Sequence, residues 1–489
     1  MNGRIRGLFT LLAIGFGMLI TMTAYWQIWA SDSLAARSDN ARLVYRQLQI
    51  KRGLIFAANG RTVLARNKRG RKDGFTVYTR VYPQKGLFAH AVGYNTVDEG
   101  RTGIELSYND YLTASNADLA TQLENLGDTL RGETVTGDNL ITSLSVPAQE
   151  AARRGMVGHV GAVVALQPST GRVLAMYSNP TFNPNDVVQQ FSQLNRPSAG
   201  APLLNRATQG LYPPGSTFKT VTATAALDTG LYTPESTINA FGSCIEPSQF
   251  PIFQQLCNAP GESFGDISLS TAFTYSVNTV FAQIGLKLGH DRMINYMRRY
   301  GFWSLPPMDY PGNEMAASGR YMNGHLMLPS KPMDVARVAI GQERLLATPL
   351  QMAEVAATVA NHGDRMRPTL VDRAIRPGGS VAFTQHPQSM GQVMSTQSAQ
   401  ELTQMMRNVV DEGTGTAAQV GNLPVAGKTG TAEIAPNVND AWFIAFAPVT
   451  HPKIAVAVVV ERTPLYGGQV AAPIAANVIR AYLNRSLAQ

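Results

Sequence analysis

Histidine and cysteine are scarce in this chain of 489 residues, at seven and two. The histidines never fall at ligand spacing with one another or with the cysteines, so no metal site is expected, and no cofactor is called for. Charge is also thin, at 15% of residues, and the formal net charge of +8 suits anionic surfaces in general without singling one out. No nucleic-acid motif accompanies it, so nucleic acid is not expected as a partner. Internal repeats and low-complexity tracts are absent, which excludes solenoids and disordered arrays. What remains is 44% apolar, enough to bury a sizeable core in two or three domains.

Only one uncharged run is also apolar enough along its length to be read as a membrane span. From Gly7 to Ser31 no residue is charged, and Leu8 to Trp29 is long enough to cross the roughly 30 Å hydrocarbon core as a helix. Arg4 and Arg6 precede it and Tyr25, Trp26 and Trp29 close it, which orients the N-terminus inward and the rest of the chain outward. Ser33-Leu34-Ala35 has the look of a cleavage site. The apolar run exceeds the ~7–15 residues of a signal peptide, so a retained anchor is expected. In an exported chain, Cys244 and Cys257 can form a disulfide closing a local loop; two unpaired buried thiols are the alternative that spacing leaves open.

After the anchor, Leu54–Ala58 and Arg61–Ala65 flank Asn59-Gly60, which predicts a two-residue hairpin in a small β-rich segment near the membrane. Between Arg61 and Arg80 lie seven basic residues and one acid, Asp73. They could face anionic headgroups or a lipid-linked pyrophosphate, or form a solvated loop. A second region begins near Asn139. Gly161–Leu166 and Val173–Tyr177 predict a hairpin, Ala441–Phe446 and Ile454–Val460 another strand pair, and Ala472–Leu487 a closing helix. Helical patterns lie between, including Thr217–Asp228 and Gln351–Asn361. The expected fold class is α/β in the α+β sense: strands from both ends of the chain in one central sheet, covered by helices.

In Pro213-Pro214-Gly215-Ser216-Thr217-Phe218-Lys219 the prolines stop any earlier helix, so Ser216 falls in the first turn of one. Three residues on, Lys219 shares its face and can act as its base if kept neutral. Free N–H groups at the helix start favour a nearby oxyanion. A serine three residues before a lysine is also what a helix cap and a surface lysine would look like, yet only Lys219 of the nine lysines has one. Ser276-Val277-Asn278 reads alone as a helix cap, and Gly427-Lys428-Thr429-Gly430-Thr431-Ala432-Glu433 as a glycine turn before the strand at Trp442–Phe446.

Together and in this order, the three elements resemble the signature of penicillin-binding proteins and class A β-lactamases. Gly161–Pro180, Asn205-Arg206-Ala207, Gly341-Gln342 and Glu412–Ala417 also look like segments of the former. Lys51-Arg52-Gly53-Leu54-Ile55-Phe56 and Gly103-Ile104-Glu105-Leu106 resemble the membrane-proximal pedestal of the monofunctional class B enzymes, in the short penicillin-binding protein A type. The resemblance implies an anchor over 1–30, a pedestal over 31–138 and a transpeptidase domain over 139–489 with a central antiparallel sheet. It implies that Ser216 attacks the penultimate D-alanine of a peptidoglycan stem peptide, with Lys219 as base and Ser276 relaying the proton. Asn278 would hold the peptide amide. Lys428 would supply a second cation, and Thr429, Gly430 and Thr431 would bind the terminal carboxylate, with N–H groups of Ser216 and Thr431 as oxyanion hole. β-Lactams would acylate the same serine. A lipid-linked precursor and a SEDS-family glycosyltransferase would be partners at the cytoplasmic membrane. The Glu-x-x-Leu-Asn element of class A β-lactamases is not matched; the nearest glutamate, Glu314, is followed by Met315-Ala316-Ala317-Ser318. A D,D-carboxypeptidase-type hydrolase and a non-enzymatic scaffold or β-lactam sensor are the rival functions.

Overall fold

A computed structural model describes residues 2–25, 48–115, 134–246, 255–259 and 261–486. Helix α1 (Asn2–Ala24) is the one helix among the described residues long and apolar enough to cross a membrane, with mean hydropathy 1.9 and none of it buried against the rest of the protein. Trp26, Trp29 and the Ser33-Leu34-Ala35 segment lie outside the described residues.

The membrane-proximal segment opens with β1 (Ile55–Phe56), β2 (Val63–Lys72) and β3 (Phe75–Val81), followed by β4 (Asn139–Thr142). β1 pairs antiparallel with β2, but the turn between them is longer than two residues. Thr62 O accepts from Ala57 N, and the Asn59 side chain accepts from the amides of Arg61 and Thr62, a local bond that competes with a tight turn. The tight hairpin is the next one. Asp73 and Gly74 both have positive φ and set Lys72 opposite Phe75, as an Asp-Gly turn does. Of the seven basic residues, Arg80 leaves the surface. It pairs at 2.6 Å with Glu105, as Arg52 does at 2.9 Å, all three side chains buried. The two pedestal-like segments therefore meet at this ion pair. Burial pushes the Glu105 carboxyl up, but Arg80 and Arg52 together outweigh it and hold it below the ordinary range.

Next in the chain come α2 (Val146–Gly155), β5 (Gly161–Leu166), β6 (Val173–Asn179), α3 (Lys219–Asp228), α4 (Leu269–Thr274), α5 (Asn278–Arg299) and α6 (Pro349–Ala360). β7 (Val371–Ile375) and β8 (Val381–Thr384) then return to the first sheet, giving the order β8-β7-β4-β1-β2-β3. β4 is hydrogen-bonded to β1 in parallel and to β7 antiparallel, so one sheet runs across the boundary expected at 138–139. After α7 (Thr396–Asp411), strands β9 (Ala426–Ala435), β10 (Val438–Ala447) and β11 (Ile454–Thr463) join β5 and β6, and α8 (Gly467–Ser486) follows. This second sheet has the order β9-β10-β11-β5-β6 and is antiparallel throughout.

Its strands read as continuous apolar runs because both faces are covered. Val164, Ile444 and Ala457 point to a core with α3, α5, α6 and α7, while Val163, Phe443 and Val458 pack with α2 and α8. Each large apolar side chain so buried contributes ~1.5–3 kcal/mol. β9 is left as an edge strand, with its outer side toward the segment before α3.

Candidate active site

Gly215–Phe218 forms a turn of 3-10 helix that runs directly into α3. In such a turn, residues three apart eclipse one another, which sets Ser216 and Lys219 on one side. The helix thus begins two residues earlier than Thr217, in the tighter form. Ser216 is half-buried, and its hydroxyl has no hydrogen-bond partner among the described residues. The turn is pressed against β9. A Cβ on Gly215 would lie 2.7 Å from Thr431 O, and one on Gly430 would lie 2.8 Å from Pro214 O and 3.0 Å from Thr217 N. From behind, Gly341 O accepts from Gly215 N at 3.1 Å, and a Cβ on Gly341 would overlap the Gly215 carbonyl. The Gly427–Glu433 segment is therefore no turn before a strand but the middle of β9, paired with β10 from Ala426 to Ala435. Gly430 is needed for contact across the outer edge.

Lys219 is fully buried. Its Nζ lies 2.6 Å from Ser276 O, 3.1 Å from Ser276 Oγ and 2.6 Å from Asn278 Oδ1. Ser276 reaches it because its backbone sits in the left-handed region, at φ 63°, between α4 and α5. Burial, then the charge of Lys428, hold the Lys219 amine well below its ordinary pKa, against an opposing pull from Glu262. A neutral amine has two hydrogens and one lone pair. Two donations, to Ser276 O and Asn278 Oδ1, then leave the lone pair to accept from a hydroxyl.

Lys428 is also fully buried. Its Nζ donates to Thr429 O at 3.3 Å and lies 5.5 Å from the Phe273 ring centroid. Burial pushes its pKa down to about 7. A cation with so few partners is poised to pair with an anion. Beside it, Thr429 Oγ1 and Thr414 Oγ1 share a hydrogen bond of 2.6 Å, and Thr431 Oγ1 accepts from Gly467 N. Thr414 had no assigned role in the sequence; its signal was the Gly413-Thr414-Gly415-Thr416 run before β9. Asn278 is engaged twice. Besides accepting from Lys219, its Nδ2 donates to Cys257 O at 2.8 Å. Cys257 is joined to Cys244 by a disulfide. A groove of about 510 Å³ continues along β9, lined by Pro213, Gln342–Leu346 and Ala432–Pro436. Among the described residues no group of three or more His, Cys, Asp or Glu could hold a metal ion.

The structure thus brings Ser216, Lys219, Ser276, Asn278, Lys428, Thr429, Gly430 and Thr431 to one side of β9. Glu314 lies elsewhere: its carboxylate accepts from Gly103 N and Tyr310 OH at the pedestal.

Residues 161–480 match the penicillin binding protein transpeptidase domain, and residues 52–140 the penicillin binding protein A dimerisation domain. The chain belongs to the class B penicillin-binding proteins. It is 33% identical to the peptidoglycan D,D-transpeptidase PbpA of Mycolicibacterium smegmatis, over 99% of each chain. The PbpA of Mycobacterium tuberculosis is equally similar, 33% over 99% of each. Among solved structures, the ceftriaxone acyl-enzyme complex of penicillin-binding protein A from M. tuberculosis superposes with a TM-score of 0.80 at 33% identity, covering 90% of this chain and 99% of that one. Pseudomonas aeruginosa PBP2 gives 0.71 at 32% identity, over 89% and 96%. The architecture of this penicillin-binding protein is accordingly the transpeptidase fold, with its N-terminal apolar helix fitting a single-pass membrane protein.

Proposed function

We propose that this chain is a peptidoglycan D,D-transpeptidase that works through an acyl-enzyme on Ser216. The single observation that carries the residue assignment is the fully buried Lys219 amine, which lies three residues after Ser216 and 3.1 Å from Ser276 Oγ and 2.6 Å from Asn278 Oδ1; burial and Lys428 hold it below its ordinary pKa. Neutral Lys219 takes the Ser216 proton as Oγ attacks the carbonyl of the penultimate D-alanine. N–H groups of Ser216 and Thr431 receive the oxyanion; a donor of this kind is worth about 10²–10³ in rate. Ser276 passes the proton to the departing D-alanine. Lys428, with Thr429 and Thr431 hydroxyls and the close backbone of Gly430, binds the terminal carboxylate. Asn278 holds the stem-peptide amide through the hydrogen and lone pair its protein partners leave free. The amine of a second stem peptide then takes the acyl group from Ser216, forming the cross-link and restoring the serine. β-Lactams stop the cycle at the acyl-enzyme.

The units proposed to serve this are the anchor over 1–30, the pedestal over 31–138 and the transpeptidase domain over 139–489. α1 holds the catalytic domain outside the cytoplasmic membrane, within reach of lipid-linked precursor. A SEDS-family glycosyltransferase is the proposed membrane partner, contacted through anchor and pedestal. Glu314 is already bonded within the pedestal contact, which argues against a built-in deacylating base of the β-lactamase kind. Fluorescent penicillin tests the nucleophile: labelling is expected in the wild type and absent in Ser216→Ala, and equal labelling of both would remove Ser216. A pentapeptide donor offered with and without an acceptor amine tests the reaction. Release of D-alanine with no cross-linked product would make the protein a carboxypeptidase instead.

A further inference from the structure

The disulfide strap beside the site makes contacts that a purely stabilising cross-link would not need. Cys244 and Cys257 are directly opposed in a short antiparallel ladder, together with Ile245 and Leu256. From the end of this ladder the backbone carbonyl of Cys257 accepts from Asn278 Nδ2 at 2.8 Å. The next residue, Asn258, is 8% exposed. Its Oδ1 accepts from Thr279 N at 3.1 Å, in the first turn of α5, where an amide lacks a helical partner. Its Nδ2 donates to Gly242 O at 3.1 Å and its backbone N donates to Ser243 O at 2.8 Å. One strap therefore grips both Asn278 and the helix start that carries it. The other end of Asn278, Oδ1, receives Lys219.

We propose that the Cys244–Cys257 strap, through the Cys257 carbonyl and the Asn258 side chain, is a positioning element for acylation: it holds Asn278 against Lys219. The proposal rests on the assignment of Ser216 and Lys219 above. An Asn side chain turns freely about its terminal torsion unless both ends are bonded. Without the Cys257 carbonyl, Oδ1 is no longer kept on the lysine, and Ser276, two residues before Asn278, loses its fixed approach. Oδ1 stabilises the ammonium form of Lys219 more than the amine, since a bond from a charged donor is the stronger. Its loss lowers the Lys219 pKa. The charged groups that face Lys219 are Lys428 on β9 and Glu262, five residues after Cys257. Loosening the strap also weakens the pull of Glu262, which acts in the same direction. Cys257 is exposed and Cys244 half-buried, so a small thiol reaches the bond.

The test measures the acylation rate constant of the full chain with fluorescent penicillin across pH. It compares oxidised wild type, wild type reduced with dithiothreitol, Cys244→Ser/Cys257→Ser, Asn258→Ala and Asn258→Asp. Reduction, the double variant and Asn258→Ala are expected to slow acylation about tenfold or more, the scale of a sub-ångström misplacement. They are also expected to move the ascending limb of the pH profile to lower pH. Asn258→Asp keeps the acceptor for Thr279 N but sets an oxygen against Gly242 O, so it recovers only part of the rate lost in Asn258→Ala. Should the double variant fail to fold, reduction of the folded protein and Asn258→Ala decide the matter. Ser216-dependent labelling with an unchanged rate and limb after reduction overturns the strap's role. Labelling that survives Ser216→Ala overturns the site assignment instead.

Discussion

Replacing Gly430 by alanine should separate the two halves of the site while leaving both intact. A Cβ there would stand 2.8 Å from Pro214 O, 2.8 Å from Thr217 Cγ2 and 3.0 Å from Thr217 N. Two of these three atoms are backbone, and the turn that holds them is backed by the Gly215–Gly341 hydrogen bond, so neither can swing aside. Relief to ordinary contact requires β9 to retreat by about 0.5 Å from the nucleophile. Since a misplacement of ~1 Å costs about 10²-fold, acylation by fluorescent penicillin should fall about tenfold, or ~1.4 kcal/mol of activation free energy. Overpacking costs the fold ~1–3 kcal/mol, so the variant stays folded, with a lower thermal midpoint. Gly312→Ala, whose Cβ would meet nothing within 4 Å, is the control and should match wild type in both measurements. An unchanged acylation rate in folded Gly430→Ala would refute the argument that close approach of β9 aligns the site.

The pH dependence of stability follows from Lys428. Its folded pKa is about 7 against an ordinary 10.5, so between these values the unfolded chain binds the extra proton and stability rises with pH. Below about 7 both states are protonated and the contribution is flat. Thermal melts from pH 6 to 10 should show wild type gaining on Lys428→Met as pH rises. Thr414→Val removes the partner of the Thr429 hydroxyl; a net ~0.5–1.5 kcal/mol per hydrogen bond predicts a lower thermal midpoint, and the freed Thr429 hydroxyl predicts slower acylation by fluorescent penicillin. Arg80→Leu removes one of the two guanidinium partners of the buried Glu105 carboxylate, which keeps Arg52 and the Tyr82 hydroxyl. Losing one charged hydrogen bond of this kind costs ~1.5–3 kcal/mol, seen in denaturant unfolding, while the acylation rate per folded molecule stays at the wild-type value.

Residues acting through side chains at fixed spacing were legible without a structure. The Ser216–Lys219 pair depends only on a helix starting at the prolines, and the apolar runs at Gly161–Leu166 and Ile454–Val460 announce a sheet built from distant segments. What stayed hidden depends on backbone groups or on pairing across the chain. Nothing local marks Cys257 as an acceptor for Asn278, since any residue has a carbonyl. The role of β7 and β8 in the pedestal sheet is equally silent, because β4, the strand that β7 joins, lies some 230 positions earlier and β8 enters only through β7. The Asp73-Gly74 hairpin was visible in principle, but the surrounding charges draw attention from its turn chemistry. Gly430 shows the opposite error: a glycine that reads as a turn because the strand's close neighbour comes from another part of the chain.

The order of elements along the chain also sets when the proposed site can assemble. The turn that carries Ser216 is synthesised 212 positions before Lys428, which at ~5–20 residues per second is about 10–40 s. For that interval the emerging chain has Ser216 but neither the edge strand against it nor the second cation beside its lysine. In the proposed mechanism Ser216 becomes acylable only when β9, paired with β10, packs against its turn.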